Sequence, residues 1–242
     1  MPRTGLSGDD VVAAAAALAD ESGFASVTMG LLAQRLGIRP PSLYKHVVSL
    51  ADLQHRVATL AMTEVGERIR DAVQGRAGRD ALTALMVALR TYVTEHPGRY
   101  TATVGAQGRG PDDTLVVAGL RVTDSIAAVL RGYGLGDQDI THAIRVIRSA
   151  MHGFVMLEMS GGFQWDTEPE QSFGWMIDFI DRGLAAGTSA RPPRAAETAA
   201  DHRQVSVAPG LAVKEGADAA REVGAGVRGE RDHPAVGGEQ AS

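Results

Sequence analysis

The chain has 242 residues, 44% of them hydrophobic, which is enough for a sizeable core in one or two domains. The absence of cysteine excludes disulfides and thiolate metal sites and suits a reducing compartment, so a cytoplasmic protein is expected. A net charge of −5 argues against indiscriminate coating of nucleic acid; no apolar run has the length of a membrane span, and the N-terminus lacks a secretory pattern.

Ser7 and Asp10 have the spacing of a capping box and open a first helix that reaches about Ser22. Val11, Val12, Ala15, Leu18 and Ala19 form its apolar stripe, Gly23 ends it, and Phe24 and Val27 read as core pins. From Val27 to Val47 the chain reads VTMGLLAQRLGIRPPSLYKHV, two short helices joined by a tight turn. Thr28 caps the first of these, and Leu31, Leu32 and Leu36 mark its expected buried side. Gly37 supplies the left-handed backbone that ends it, and Ile38 follows as a buried hinge. After Pro40 and Pro41 a second helix is expected over Ser42 to Val47. Leu43 and Val47 share one face and pack backwards, which leaves Tyr44, Lys45 and His46 pointing elsewhere. A helix–turn–helix with a short, polar-faced second helix fits a DNA major groove.

Charge supports that reading locally. Residues 1–60 net zero, but residues 30 to 56 set four basic side chains against Asp52 alone. The only positive concentration therefore surrounds the second of the two short helices, as docking on phosphates requires.

Ser49 and Asp52 open a fourth helix, with Leu53, Val57 and Leu60 at helical spacing, that continues to about Val73; Gln74 to Arg79 reads as a boundary. The body is helical throughout. Ala81–Glu95 carries Leu82, Leu85, Met86, Leu89 and Val93 and is stopped by Pro97. Residues 105–113 form a loop, helices follow over Asp113 to Gly132 and Asp137 to Ser160, and a last helix opens near Pro169. The fold class is all-α, divided into a head over 1–60, a body over 61–186 and a tail over 187–242. The tail has no aromatic residue, isoleucine or methionine and a single leucine, Leu211, so it is expected to be disordered.

The head resembles the DNA-binding unit of the tetracycline-repressor (TetR) family. The matching pieces are Leu32-Ala33, Leu36-Gly37-Ile38 and Ser42-Leu43-Tyr44-Lys45-His46-Val47, in the family's order and spacing. The body is similar to the ligand domain of the family branch named for a Trp-His-Gly signature. It carries His152-Gly153, Leu157-Glu158, Gly161-Gly162-Phe163 and Ser172-Phe173, with Met151 where the signature has tryptophan. The resemblance implies a ligand-responsive transcriptional regulator, a repressor, that binds an inverted-repeat operator as a homodimer through the helices over 137–160 and 169–186. A small, largely apolar effector would release it, with no cofactor and no membrane partner.

Thr28, Arg39, Pro40, Pro41, Ser42, Tyr44, Lys45 and His46 are the candidate DNA contacts. Arginine reads guanine bidentately, proline and tyrosine offer apolar contact to thymine methyls, and Lys45, Tyr44 and His46 reach phosphates. Compared with the tetracycline repressor's own pattern, Gly30 replaces a base-reaching side chain and Leu50 a lysine, so base reading falls to Arg39 through His46. Met86, Tyr92, Met151, His152, Phe154, Met156, Phe163 and Trp165 are the candidate effector-lining residues, with Tyr100 and Met159 beside them; methionine and aromatic residues at helical spacing serve equally as plain core. Enzyme constellations are missing: Gly105 to Gly110 lacks the Gly-Lys-Ser/Thr ending of a phosphate loop, and His96 has no metal-spaced partner. The alternative reading is a helical small-molecule-binding protein or enzyme whose head makes only protein contacts.

Overall fold

The computed structural model describes residues 6–189, and the side chains up to 186. The expectation of a disordered tail falls outside these residues. No strand occurs among them.

The caps set the helix ends. In α1 (Gly8–Ser22) the Ser7 hydroxyl accepts from the Asp10 amide at 3.1 Å and the Asp10 carboxylate accepts from the Ser7 amide at 2.8 Å, so aspartate completes the capping box. α2 (Met29–Leu36) is capped by the Thr28 hydroxyl, 3.2 Å from the Leu31 amide, and ends at Gly37 with φ +65°. α3 follows over Pro40–Leu43, α4 over Leu50–Val73 with Ser49 as its cap, and α5 over Gly78–Glu95. α6 covers Pro97–Thr103, α7 Thr114–Arg131, α8 Asp137–Met159 and α9 Pro169–Ser189.

Three expectations need correction. The second helix of the helix–turn–helix is regular over Pro40–Leu43, not Ser42 to Val47. Both prolines enter its first turn, where no amide donor is needed, and beyond Leu43 the chain tightens, with His46 N–H bonding Leu43 O at 2.8 Å and Val47 N–H the same oxygen at 3.1 Å. Leu31 is 44% exposed, and Ala33 takes the buried position beside Leu32. Pro97 does stop one helix, but it also starts α6, since a proline at the first helical position serves both purposes.

Two cores result. One joins α1, α2 and α3 to the start of α4 through Val11, Ala15, Ala19, Leu32, Leu43 and Leu53. The other gathers α5, α7, α8 and α9 around Leu82, Leu85, Met86, Leu130, Ile147 and Phe173. α4 supplies Val57 and Ala58 to the first and Val65 and Ile69 to the second. α6 packs against both: Ala102 joins the first core and Tyr100 the second. At Gly98 the contact with α1 is closed to any side chain, because a Cβ there would lie 1.9 Å from the Ala19 carbonyl oxygen. Charged groups tie the same junction. Asp20 accepts from the Arg99 amide at 2.8 Å and lies 2.9 Å from its Nε, while Arg99 Nη1 reaches Glu64 at 3.1 Å.

Candidate DNA-binding face and effector cavity

The segment between α2 and α4 carries the candidate DNA contacts Arg39 to His46, and Thr28 caps the start of α2. Thr28, Arg39, Pro40, Pro41, Tyr44 and Lys45 are exposed, whereas Ser42 and His46 are half-buried. Leu43, fully buried, and Val47 seat this turn on the head's core. Arg56 of α4 holds it from below by donating to the His46 carbonyl at 2.8 Å. The local positive charge is carried by fewer groups than the sequence count implies. Arg35 is bound to Glu21 at 2.5 and 2.7 Å, and Arg56 lies 3.5 Å from Asp9. Arg39 and Lys45 have no carboxylate partner among the described residues and are the cations open to an external anion. Two apolar side chains between Thr28 and Ser49 are exposed: Leu31, expected on the buried side, and Val48, which is 84% exposed.

A cavity of about 170 Å³ opens in the body between α4, α5, α6, α7 and α8. Val65 and Ile69 line it from α4, Leu85 and Leu89 from α5, Val122 and Ile126 from α7, and Ile144 and Ile147 from α8. Its polar lining comprises Tyr100, Thr103, Thr123, Thr141, Arg145 and Arg148, with no carboxylate among its walls.

None of the eight effector candidates lines this cavity. Met86 and Met151 fill the core solidly. Tyr92 is buried at the junction, donating to Glu64 at 2.8 Å; burial, and then the negative Glu64, push its ionisation above the ordinary phenol range. His152 stands behind the wall, its Nδ1 3.1 Å from the Tyr100 hydroxyl. Phe154 packs between Phe163 and Phe173, with ring centroids at 4.9 and 5.4 Å, beneath the Arg90 guanidinium. Arg90 in turn is clamped by Glu158 and Glu170, which fixes the end of α8 to the start of α9. Met156 and Trp165 lie at the surface. Only Tyr100, among the residues set beside those eight, reaches the cavity. Periodicity tells which side chains are buried, and carries no information on where packing leaves a gap.

A second surface of the body is apolar and uncovered. Trp175 and Phe179 of α9 stack at 5.3 Å with 14° between their planes, 62% and 59% exposed. On α8, Val146, Met156 and Leu157 are also exposed, and a side chain at Gly153, Gly174 or Gly183 would meet no neighbouring element within 4 Å.

Comparison with known proteins places these features. Residues 11–53 match the family model "Bacterial regulatory proteins, tetR family", and residues 82–180 match "Tetracyclin repressor-like, C-terminal domain". Over 184 residues, 76% of this chain and 84% of the relative, the sequence is 36% identical to the HTH-type transcriptional regulator Rv0681 of Mycobacterium tuberculosis. The chain belongs to the TetR family. It is thus a DNA-binding transcriptional regulator and not an enzyme, in keeping with the regulators it is related to. Solved structures share the fold at lower identity. BioQ with its double-stranded DNA operator matches at a TM-score of 0.55 with 24% identity, covering 75% of this chain and 99% of that one. A TetR variant from Acinetobacter baumannii AYE in complex with minocycline matches at 0.58 with 22% identity, over 75% and 97%. No helix among the described residues is long and apolar enough to cross a membrane.

Proposed function

We propose that this TetR-family regulator is a homodimeric repressor that binds an inverted-repeat operator and is released by a small molecule in the body cavity. In this reading the labour is divided between a DNA-binding head over residues 1–60 and a body over 61–186 that binds effector and partner. The observation that carries the reading is the uncovered apolar face of α8 and α9. Stacked Trp175 and Phe179 on α9, and Val146 and Leu157 on α8, are large apolar side chains left in water, as at surfaces that receive a partner. Pairing of α8 and α9 with their copies covers them, and a two-fold pair of heads demands a two-fold operator. The likeness in fold to BioQ, solved on its operator, and to a TetR variant solved with minocycline supports both halves of the reading.

Within one head, Arg39, Pro40, Pro41, Ser42 and Tyr44 are assigned to base edges, and Thr28, Lys45 and His46 to phosphates. The effector acts through α6, whose Tyr100 and Thr103 line the cavity and whose Gly98 and Arg99 abut α1. Such a ligand shifts DNA affinity only as far as it prefers one spacing of the heads. The test is sedimentation equilibrium and gel shift of the double variant Trp175→Glu, Phe179→Glu on DNA flanking the protein's own gene. A folded monomer with at least a hundredfold weaker DNA binding is expected; an unchanged dimer would remove this face from the interface.

A further inference from the structure

The cavity's charge pattern bears on what it binds. Its walls are largely apolar, and the charged groups among them are Arg145 and Arg148, about one turn apart on α8; Tyr100 and three threonines supply the remaining polar lining. Half of the body's arginines are matched to carboxylates: Arg68 to Glu95, Arg70 to Asp71, Arg79 to Asp178, Arg90 to Glu158 and Glu170, Arg99 to Asp20 and Glu64, and Arg109 to Asp52. Arg145 and Arg148 have no such partner among the described residues, and no carboxylate lines the cavity. Arg76, Arg121, Arg131 and Arg182 are exposed as well but take no part in the cavity. The threonine hydroxyls of the lining are engaged by their own helices: Thr103 donates to the Tyr100 carbonyl at 2.7 Å, Thr123 to that of Gly119 at 3.0 Å and Thr141, more loosely, to that of Asp137 at 3.4 Å. The only cationic donors at the site are therefore the two guanidinium groups. Burial pushes the Tyr100 hydroxyl above its ordinary value and the positive Arg148 opposes this, so the guanidinium lies within electrostatic reach of the buried phenol.

We propose that the effector is an amphipathic organic acid, its carboxylate held by Arg145 and Arg148 and its apolar tail inserted between α5 and α7. This rests on the reading of the cavity as the effector site. Guanidinium groups present paired donors that match a carboxylate's two oxygens. A cavity of about 170 Å³ takes a tail of roughly benzene size, a benzene ring being what fills a dry cavity of about 150 Å³.

Isothermal titration of the full chain with 4-phenylbutyrate and octanoate, each against the alcohol of the same carbon skeleton, tests the assignment. The acids should bind about tenfold more tightly than their alcohols, as charged hydrogen bonds at a part-exposed site allow. In the double variant Arg145→Gln, Arg148→Gln that advantage should fall below about twofold while alcohol binding is kept. Both side chains are exposed, so the variant should retain the helical circular dichroism and melting temperature of the parent. Equal affinity for acid and alcohol in the parent chain, or an acid preference that survives in the variant, would overturn the anionic head while leaving the cavity as an effector site. Failure of all four compounds to bind would overturn the effector role of the cavity itself.

Discussion

The core around α1, α2 and α3 sets small side chains, Val11, Ala15, Ala16 and Ala19, against Leu32, Leu43 and Leu53, all fully buried, whereas the core around α5, α7 and α8 leaves a gap of about 170 Å³. The surfaces differ as much. The head's outer turn shows Arg39, Tyr44 and Lys45, while α8 and α9 show Val146, Trp175 and Phe179. A close-packed core with a polar, cationic face is suited to hold a rigid shape against a polyanion. A core with a gap and an apolar outer face is suited to take a small molecule and a second copy of itself. One chain thus uses two packing regimes, and under the proposed function the difference between them is the division between reading and sensing.

The largest expected effect comes from breaking the contact that joins the two regimes. Gly98→Val puts a side chain against the backbone of Ala19, which cannot yield, and should cost about 3 kcal/mol or more. Chemical denaturation should show a lowered midpoint; an unchanged midpoint would mean that α6 does not bear on α1. Next are two adjacent leucines in the head. Leu32→Ala should cost about 2–5 kcal/mol because its site is full and cannot collapse, whereas Leu31→Ala should stay within about 0.5 kcal/mol. Similar costs for the two would contradict the orientation of α2.

These same residues show what the sequence makes legible. Helix ends were readable because the chemistry that stops a helix is local: Ser7 with Asp10, Thr28, Ser49 and Asp113 cap as their types require, and Gly37 adopts the left-handed turn. The orientation of an eight-residue helix was less so, since Leu31 and Leu32 differ by one position and only contact with α1 decides between them. α6 went unread because Pro97 signals an end and a start with the same residue. The cavity was illegible for a different reason. Met86 and Tyr92 stand out as buried, chemically distinctive residues, yet the gap lies among ordinary leucines, valines and isoleucines whose spacing matches that of any core.

Smaller effects sharpen the assignment of the head's exposed groups. Arg39→Ala should cost about 1–3 kcal/mol of operator binding and relax preference at one base pair per half-site, measured by anisotropy on systematically altered duplexes. Lys45→Ala should weaken all duplexes alike and lower the slope of log affinity against log salt by about one. Loss of discrimination in Lys45→Ala with the salt slope intact would reverse the two roles and make Lys45 the base reader.

The central claim is that two copies of the head, held by α8 and α9, read DNA as a two-fold pair. Hydroxyl-radical footprinting of the full chain on DNA flanking its own gene measures this directly. The account predicts two protected half-sites related by a two-fold axis, centred roughly 34–36 Å or a multiple of it apart. A single unpaired half-site protected at full affinity would contradict it.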